Sequence, residues 1–221
     1  MTDPALHELP IYCIGGLGVD SKVFDAYNFP GQKVMLPYFD PAAGQSIQDY
    51  ASKMAASIRH EPFALVGVSL GGILAQEIAA IKKVEKLVLV STIRHCRQVP
   101  LLFRSASGVA GTWGIKLAWK TDISALRNYF FTATRPEDKA ALQRIYESTD
   151  YRIVQWAIPK IMSWTGTEIL PGTATTTIHG RKDRLFPVGR RADINHLLPD
   201  AGHFMIVSHR QAVEDHINRC L

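Results

Sequence analysis

Residues 63–77 read FALVGVSLGGILAQE. An apolar run short enough for a buried strand leads into Gly67-x-Ser69-x-Gly71, and apolar residues at helical spacing follow at once. This order predicts a strand, a sharp turn and a helix, with one residue held in a strained backbone conformation and its side chain pointing outward. The flanking glycines keep such a corner free of side-chain clashes. Ser69 is therefore a candidate nucleophile.

The motif alone is a weak signal, because Gly-x-Ser-x-Gly is expected by chance in roughly one in ten chains of this length. Its surroundings strengthen it. Buried strands are predicted at 9–14, 33–36 and 86–90, and a helix that begins at Ser46 lies before the central strand. Strands that are apolar throughout and alternate with helices predict a parallel sheet covered on both faces.

The alternation stops at residue 92. Helical stretches are predicted at 114–120, 123–132, 136–148 and 151–164, with no apolar strand run before about residue 172. We interpret 92–172 as a helical cap inserted between two strands. All four tryptophans fall in it, and they form either the cap's own core or an apolar pocket above Ser69: Trp113, Trp119, Trp156 and Trp164.

Regular order then resumes. A β-branched strand is predicted at 174–179, a turn at 180–183, a weaker strand at 191–198, and a final helix at about 205–218. The loop before that helix reads Ala-Gly-His-Phe, ending at Phe204.

Three motifs in register give the chain a resemblance to the α/β-hydrolase superfamily along almost its full length: the turn around Ser69, the segment GRKDRLFP at 180–187, and the loop AGHF at 201–204. The resemblance implies an α/β fold with a mostly parallel sheet. Two N-terminal strands of the usual fold have no counterpart, so we expect about six strands with helices on both faces. The expected domains are a core of 1–91 and 173–221 and the cap at 92–172.

Within that family the order of the catalytic residues is serine, acid, histidine, and Ser69, Asp183 and His203 match it. Each expected role has a physical reason. A serine hydroxyl needs a base to take its proton during attack, and imidazole can accept that proton and return it. A carboxylate on the other ring nitrogen fixes the tautomer and stabilises the imidazolium.

An oxyanion formed during attack needs two backbone N–H donors. The first is Leu70, directly after the nucleophile, and the resemblance makes Leu17 of the glycine loop the second. The family usually opens this loop with His-Gly, whereas here it reads Gly15-Gly16-Leu17-Gly18. We expect the loop's rigidity to differ while its N–H donors remain.

Other residues fit these roles less well. Asp193 has a strand context, and Asp200 is too close to His203 in sequence to approach from a neighbouring loop. Structural roles are expected for His179, His209 and His216, while His95 and Arg97 follow a predicted strand end near the site.

Composition narrows the function classes. The net charge is +5, but the basic residues are spread thinly, so we expect a solvated surface rather than nucleic-acid binding. Three scattered cysteines, no apolar run of membrane length and no secretory signal pattern favour a cytoplasmic protein without disulfides. No metal-ligand spacing and no dinucleotide motif is present, so no cofactor and no metal is expected.

The sequence thus predicts a serine hydrolase, of carboxylesterase or thioesterase type, that cleaves a small and fairly apolar substrate through an acyl-enzyme. Two alternatives stay open. The same three residues can cleave a carbon–carbon bond next to a carbonyl, and the same fold can bind a small molecule without turnover.

Overall fold

The computed structural model describes residues 9–19, 21–101, 103–104, 123–189 and 191–221. Among these residues, six strands form one parallel sheet in the order β2-β1-β3-β4-β5-β6. The strands are β1 (Ile11–Ile14), β2 (Lys33–Met35), β3 (Ala64–Val68), β4 (Lys86–Val90), β5 (Ala174–Gly180) and β6 (His196–Leu198). The predicted trimmed sheet of about six strands is confirmed.

Helices cover both faces of the sheet. They are a 3₁₀-helix (Ser21–Ala26), α1 (Ile47–Ala55), α2 (Leu70–Ala79), a short 3₁₀-helix (Cys96–Gln98), α3 (Ser124–Phe131), α4 (Pro136–Ser148), α5 (Tyr151–Ser163), α6 (Met205–Ser208) and α7 (Arg210–Cys220). Alternate strand residues face opposite layers. Leu65 and Leu87 pack in the core with α1, α2 and α5, whereas Val66 and Val88 pack with the first 3₁₀-helix, α6 and α7.

Local signals place most elements correctly. The predicted cap of α1 is confirmed, because the Ser46 side chain accepts a hydrogen bond from the N–H of Asp49 at 3.0 Å. Strand β4 and helix α4 begin and end at the predicted residues, and the acidic first turn of α4 follows Pro136.

Two predicted elements differ. The strand expected at 191–198 is only three residues long, because Arg191 folds back into a turn with Val188 and pairs its side chain with Asp193. The final helix is divided at His209, which has φ −129° and ψ 38°. Directly before this break, the side chain of Arg135 donates to the carbonyl of Ser208 at 2.8 Å.

Between β4 and β5 the described residues contain α3, α4 and α5, near the predicted positions. The boundaries of a separate cap at 92–172 stay a prediction. The helix predicted at 114–120, Trp113 and Trp119 lie outside the described residues.

Candidate active site

The turn between β3 and α2 presents Ser69 at the carboxyl end of the sheet. Ser69 has φ 52° and ψ −115°, a conformation that an L-residue adopts only when its surroundings enforce it. Its N–H donates to the carbonyl of Val90 at 2.9 Å, and its own carbonyl accepts from the Thr92 hydroxyl at 2.7 Å. Strand β4 and Thr92, which follows that strand by two residues, therefore hold the strained turn in place.

Glycines make this turn possible by close packing. A Cβ atom on Gly67 would lie 2.5 Å from the carbonyl oxygen of Gly71, and one on Gly71 would lie 2.2 Å from the carbonyl oxygen of Gly15. Both distances are too short for non-bonded atoms. Helix α2 thus begins in contact with both β3 and the glycine loop that follows β1. A side chain at Gly67 would push α2 away from β3, and one at Gly71 would push α2 away from the loop.

His203 lies within reach of Ser69. The Ser69 hydroxyl is 3.1 Å from His203 Nε2, and His203 Nδ1 is 2.8 Å from Asp183 Oδ2. Asp183 and His203 are buried, while Ser69 is partly exposed. The structure brings the three predicted residues together, although 114 and 134 positions along the chain separate Asp183 and His203 from Ser69 (183 − 69 and 203 − 69).

Both oxygens of the Asp183 carboxylate face N–H groups. Its Oδ1 accepts from the N–H groups of Leu185 at 2.9 Å and Phe186 at 2.8 Å. Its Oδ2 faces His203 and also His179, whose Nε2 is 3.2 Å away. Burial alone would raise the pKa of Asp183, but the charge of His203 and the hydrogen bonds from both histidines outweigh burial and lower this pKa. Asp183 is therefore ionised at neutral pH.

The glycine loop lies beside the Ser69 side chain, since a Cβ on Gly16 would be 3.4 Å from the Cβ of Ser69. The N–H groups of Leu17 and Leu70 form no backbone hydrogen bond among the described residues. A first-turn N–H such as that of Leu70 has no acceptor within its own helix. Neither predicted donor therefore has a competing backbone acceptor in these ranges.

A tyrosine supports this loop where the family usually has a histidine. The Tyr38 hydroxyl donates to the carbonyl of Gly15 at 2.8 Å. Burial and the neighbouring Tyr50 raise the pKa of Tyr38 well above its ordinary value, so the hydroxyl keeps its proton. Tyr38 comes from the segment after β2 and was not among the predicted site residues.

The segment between β4 and β5 contacts the histidine loop through residues 131–133. The ring of Phe131 meets His203 edge-on, with ring centroids 5.4 Å apart, and the carbonyl of Phe131 accepts from the N–H of Phe204 at 3.1 Å. Thr132, in the left-handed region at φ 59°, donates its hydroxyl to the carbonyl of Lys182. One turn therefore touches the loops of both Asp183 and His203.

Comparison with known proteins identifies the family. The family model described as "Alpha/beta hydrolase family" matches residues 16–216. The chain belongs to the alpha/beta hydrolase family. A search among curated proteins finds no match.

Solved structures show the same alpha/beta hydrolase fold at low identity. A lipase-esterase related protein from Clostridium acetobutylicum is 15% identical, with a TM-score of 0.69 over 96% of this chain and 94% of that one. Est816, described as an N-acyl homoserine lactone degrading enzyme, is 16% identical with a TM-score of 0.71 over 96% and 93%. A putative non-heme bromoperoxidase, BpoC, from Mycobacterium tuberculosis is 20% identical with a TM-score of 0.71 over 96% and 91%.

Two tryptophans of this alpha/beta hydrolase make contacts that are typical of residues with a structural role. Trp156 donates to the carbonyl of Gln45 at 2.8 Å and packs on Tyr50. Trp164 donates to the buried carboxylate of Glu77 at 2.5 Å. Both belong to the main core cluster, so among the described tryptophans the contacts match the core interpretation better than the pocket interpretation.

The two alternative candidates for the catalytic acid form ion pairs outside the site. Asp193 pairs with Arg191 at 2.7 Å and Asp200 pairs with Lys182 at 2.8 Å. His95 caps a short 3₁₀-helix by accepting from the N–H of Arg97. Neither His95 nor Arg97 has a hydrogen bond or ion pair with Ser69, Asp183 or His203 in the described parts of the chain.

Among the described residues, no group of three metal-ligating side chains could hold an ion, and no helix has the length and apolar character needed to cross a membrane. Burial raises the pKa of the Cys13 thiol to about 12, with only partial compensation from Lys33, so Cys13 is not a nucleophile at neutral pH.

Proposed function

We propose that this protein is a serine hydrolase that cleaves an ester or thioester through an acyl-enzyme. The observation that supports it most is the continuous series of contacts from Ser69 Oγ to His203 Nε2 at 3.1 Å and from His203 Nδ1 to Asp183 Oδ2 at 2.8 Å. In this geometry a proton on Ser69 has an acceptor, and the acceptor has a fixed tautomer.

In the first half-reaction Ser69 Oγ bonds to the carbonyl carbon while its proton passes to His203 Nε2. The carbonyl π electrons move to the oxygen, giving a tetrahedral oxyanion. As the oxyanion collapses, the bond to the alcohol or thiol breaks, and His203 donates the proton to that leaving group. Water then repeats the sequence on the acyl-enzyme, releasing the acid and free Ser69.

The oxyanion is held by the N–H groups of Leu70 and Leu17. Leu70 is the first residue of α2, so its N–H also lies at the positive end of the helix dipole. The loss of one such donor typically costs about 10²–10³ in rate. Tyr38, which bonds to Gly15, keeps the loop that contains Leu17 beside Ser69.

We propose further that residues 92–172 form a cap over the site and that the substrate is small and fairly apolar. The contacts of Phe131 and Thr132 with the loops of His203 and Asp183 support this placement. The aromatic edges of Phe131 and Phe186 surround His203 with apolar surface, which suits an acyl chain better than a charged group. Two proteins of the same fold are described as esterases, which agrees with hydrolysis of an ester.

Labelling with a fluorophosphonate probe, together with hydrolysis of short p-nitrophenyl esters, tests the proposal. The wild-type protein should be labelled on Ser69, and Ser69→Ala should lose labelling and at least about 10³-fold in kcat. Ser91→Ala is a matched control, because Ser91 is also at positive φ, at the end of the adjacent strand, but is fully buried. It should keep labelling. Folded wild-type protein that is neither labelled nor active would contradict the proposal and favour a small-molecule binder.

A further inference from the structure

We propose that His179 is a positioning residue for catalysis: it holds the Asp183 carboxylate in place from the side opposite His203. This inference rests on the proposed hydrolase function, and it concerns a residue for which the sequence indicated only a structural role. His179 lies on β5 one residue before the strand ends, and its side chain has no solvent exposure.

The proton on His179 is located by its partners. Nε2 is 2.8 Å from the carbonyl oxygen of Phe186, and a carbonyl oxygen can only accept, so Nε2 must have the hydrogen. The same Nε2 atom is 3.2 Å from Asp183 Oδ2. Nδ1 is buried without a hydrogen-bond partner among the described residues, so no acceptor is present for a second ring proton. His179 therefore acts as a one-sided donor shared between Phe186 and Asp183.

This donor limits how Asp183 can turn. The N–H groups of Leu185 and Phe186 fix Oδ1, while the two histidines approach Oδ2. If His179 were absent, Oδ2 would have His203 as its one side-chain donor in the described structure. The carboxylate would then keep more negative charge for His203 and would be less restrained about the bond from Cβ to Cγ.

Two consequences follow for the histidine base. A less restrained carboxylate holds the His203 ring less firmly in line with Ser69, which lowers kcat more than it affects substrate binding. A carboxylate with one donor fewer also binds the imidazolium proton more strongly. The acid limb of the pH profile should therefore move to higher pH when His179 is replaced by an apolar residue.

The test compares His179→Leu with His179→Gln, because the amide nitrogen of glutamine can take the place of Nε2 as a donor. We expect kcat on a p-nitrophenyl ester to fall about 10-fold in the leucine variant with KM changed less than twofold, and the acid limb to move upward. The glutamine variant should recover most of the loss. Thr177→Val is the control and should keep wild-type kcat, because Thr177 is buried on the same strand and has no hydrogen bond to Asp183 in the described parts of the chain.

A second measurement does not depend on turnover. The His203 proton shared with Asp183 should give a far-downfield ¹H NMR signal, which the leucine variant shifts and the glutamine variant restores. An unchanged kcat, pH profile and proton signal in folded His179→Leu would overturn the role of His179, even if Ser69 labelling is normal. Equal loss in the leucine, glutamine and Thr177→Val variants would also overturn it, because the effect would then be one of folding. A failure of the hydrolase proposal itself appears separately, as absent Ser69 labelling in the wild type.

Discussion

The two halves of the site are held in place by different means. Ser69 is held in place mainly through its main chain. Glycines pack closely around the turn, its φ of 52° is strained, and its carbonyl accepts from the Thr92 hydroxyl. Asp183 and His203 are fixed by side chains and by a turn from another part of the chain, including His179, Phe131 and Thr132. Changes to the backbone of the nucleophile half should therefore cost stability as well as activity, whereas side-chain changes in the acid–base half should cost activity while the fold is kept.

Gly71→Ala tests the backbone half and should have the largest effect. The new Cβ would lie 2.2 Å and 2.4 Å from the carbonyl oxygens of Gly15 and Ile14, and neither backbone segment can move without displacing β1 or α2. We expect a loss of at least about 3 kcal/mol in the free energy of unfolding, measured by urea denaturation, together with loss of Ser69 labelling. Gly44→Ala is the comparison for backbone strain without a close contact: nothing lies within 4 Å of its Cβ position, but its φ of 71° is unfavourable for alanine and should cost about 1 kcal/mol. Equal stability of the two variants would show that the close contact is not needed.

Asp183→Asn tests the side-chain half. The carboxamide oxygen can still accept from Leu185 and Phe186, which turns the amide nitrogen toward His203. That nitrogen can only donate, so it favours the tautomer with the proton on Nε2, which cannot accept from Ser69. We expect kcat to fall about 10³–10⁴-fold while the fold is kept.

The two rejected acids provide the controls for this substitution. Asp193→Asn and Asp200→Asn each break an ion pair outside the site, with Arg191 and Lys182 respectively. Both variants should keep kcat within about twofold, since neither pair includes Ser69, Asp183 or His203. The exposed Lys182–Asp200 pair should also contribute little to stability, whereas loss of the largely buried Arg191–Asp193 pair should lower stability. If either variant lost as much activity as Asp183→Asn, the assignment of the acid would be wrong.

The contrast between the halves also explains what the sequence could predict. The strand, turn and helix around Ser69 are determined by residues close together in sequence, so the local pattern was sufficient to predict them. The parallel sheet was predicted from the repeated alternation of apolar strands and helices. The local sequence pattern does not predict that Asp183 and His203 lie beside Ser69. That prediction came from the order of the motifs in the family. The geometry of the three residues is present in the structure.

Contacts between distant residues could not be predicted in this way. Tyr38 reaches Gly15 across 23 positions, and Arg135 reaches Ser208 across 73. Nothing in the sequence near Ser208 indicates that α6 ends there, so the final helix was predicted as continuous. His179 had one local signal, its spacing of four residues from Asp183, but on a strand that spacing does not by itself place two side chains in contact.

Tyr38→Phe tests a side chain that supports the nucleophile half. The variant keeps the ring and loses the hydrogen bond to the Gly15 carbonyl, so the loop with Leu17 is less restrained. A net loss typical of one hydrogen bond corresponds to about 3–10-fold in kcat, with KM little changed. Tyr50→Phe is the control, because its hydroxyl bonds to Phe39 in the same aromatic cluster and not to the loop. Equal activity of Tyr38→Phe and wild type would show that the loop is rigid without this support.

Phe131→Leu should have the smallest effect and decides whether the helical segment helps to position the base. The leucine fills much of the space but loses the edge-on contact with His203. The main-chain bond from Phe204 to residue 131 does not depend on the side chain and should remain. We expect kcat to fall about 2–5-fold, consistent with one aromatic contact. Phe130→Leu, which alters a ring packed on Phe103 and Tyr129, serves as the comparison and should stay near wild type. A larger loss in Phe130→Leu than in Phe131→Leu would mean that the segment acts through its own folding rather than through His203.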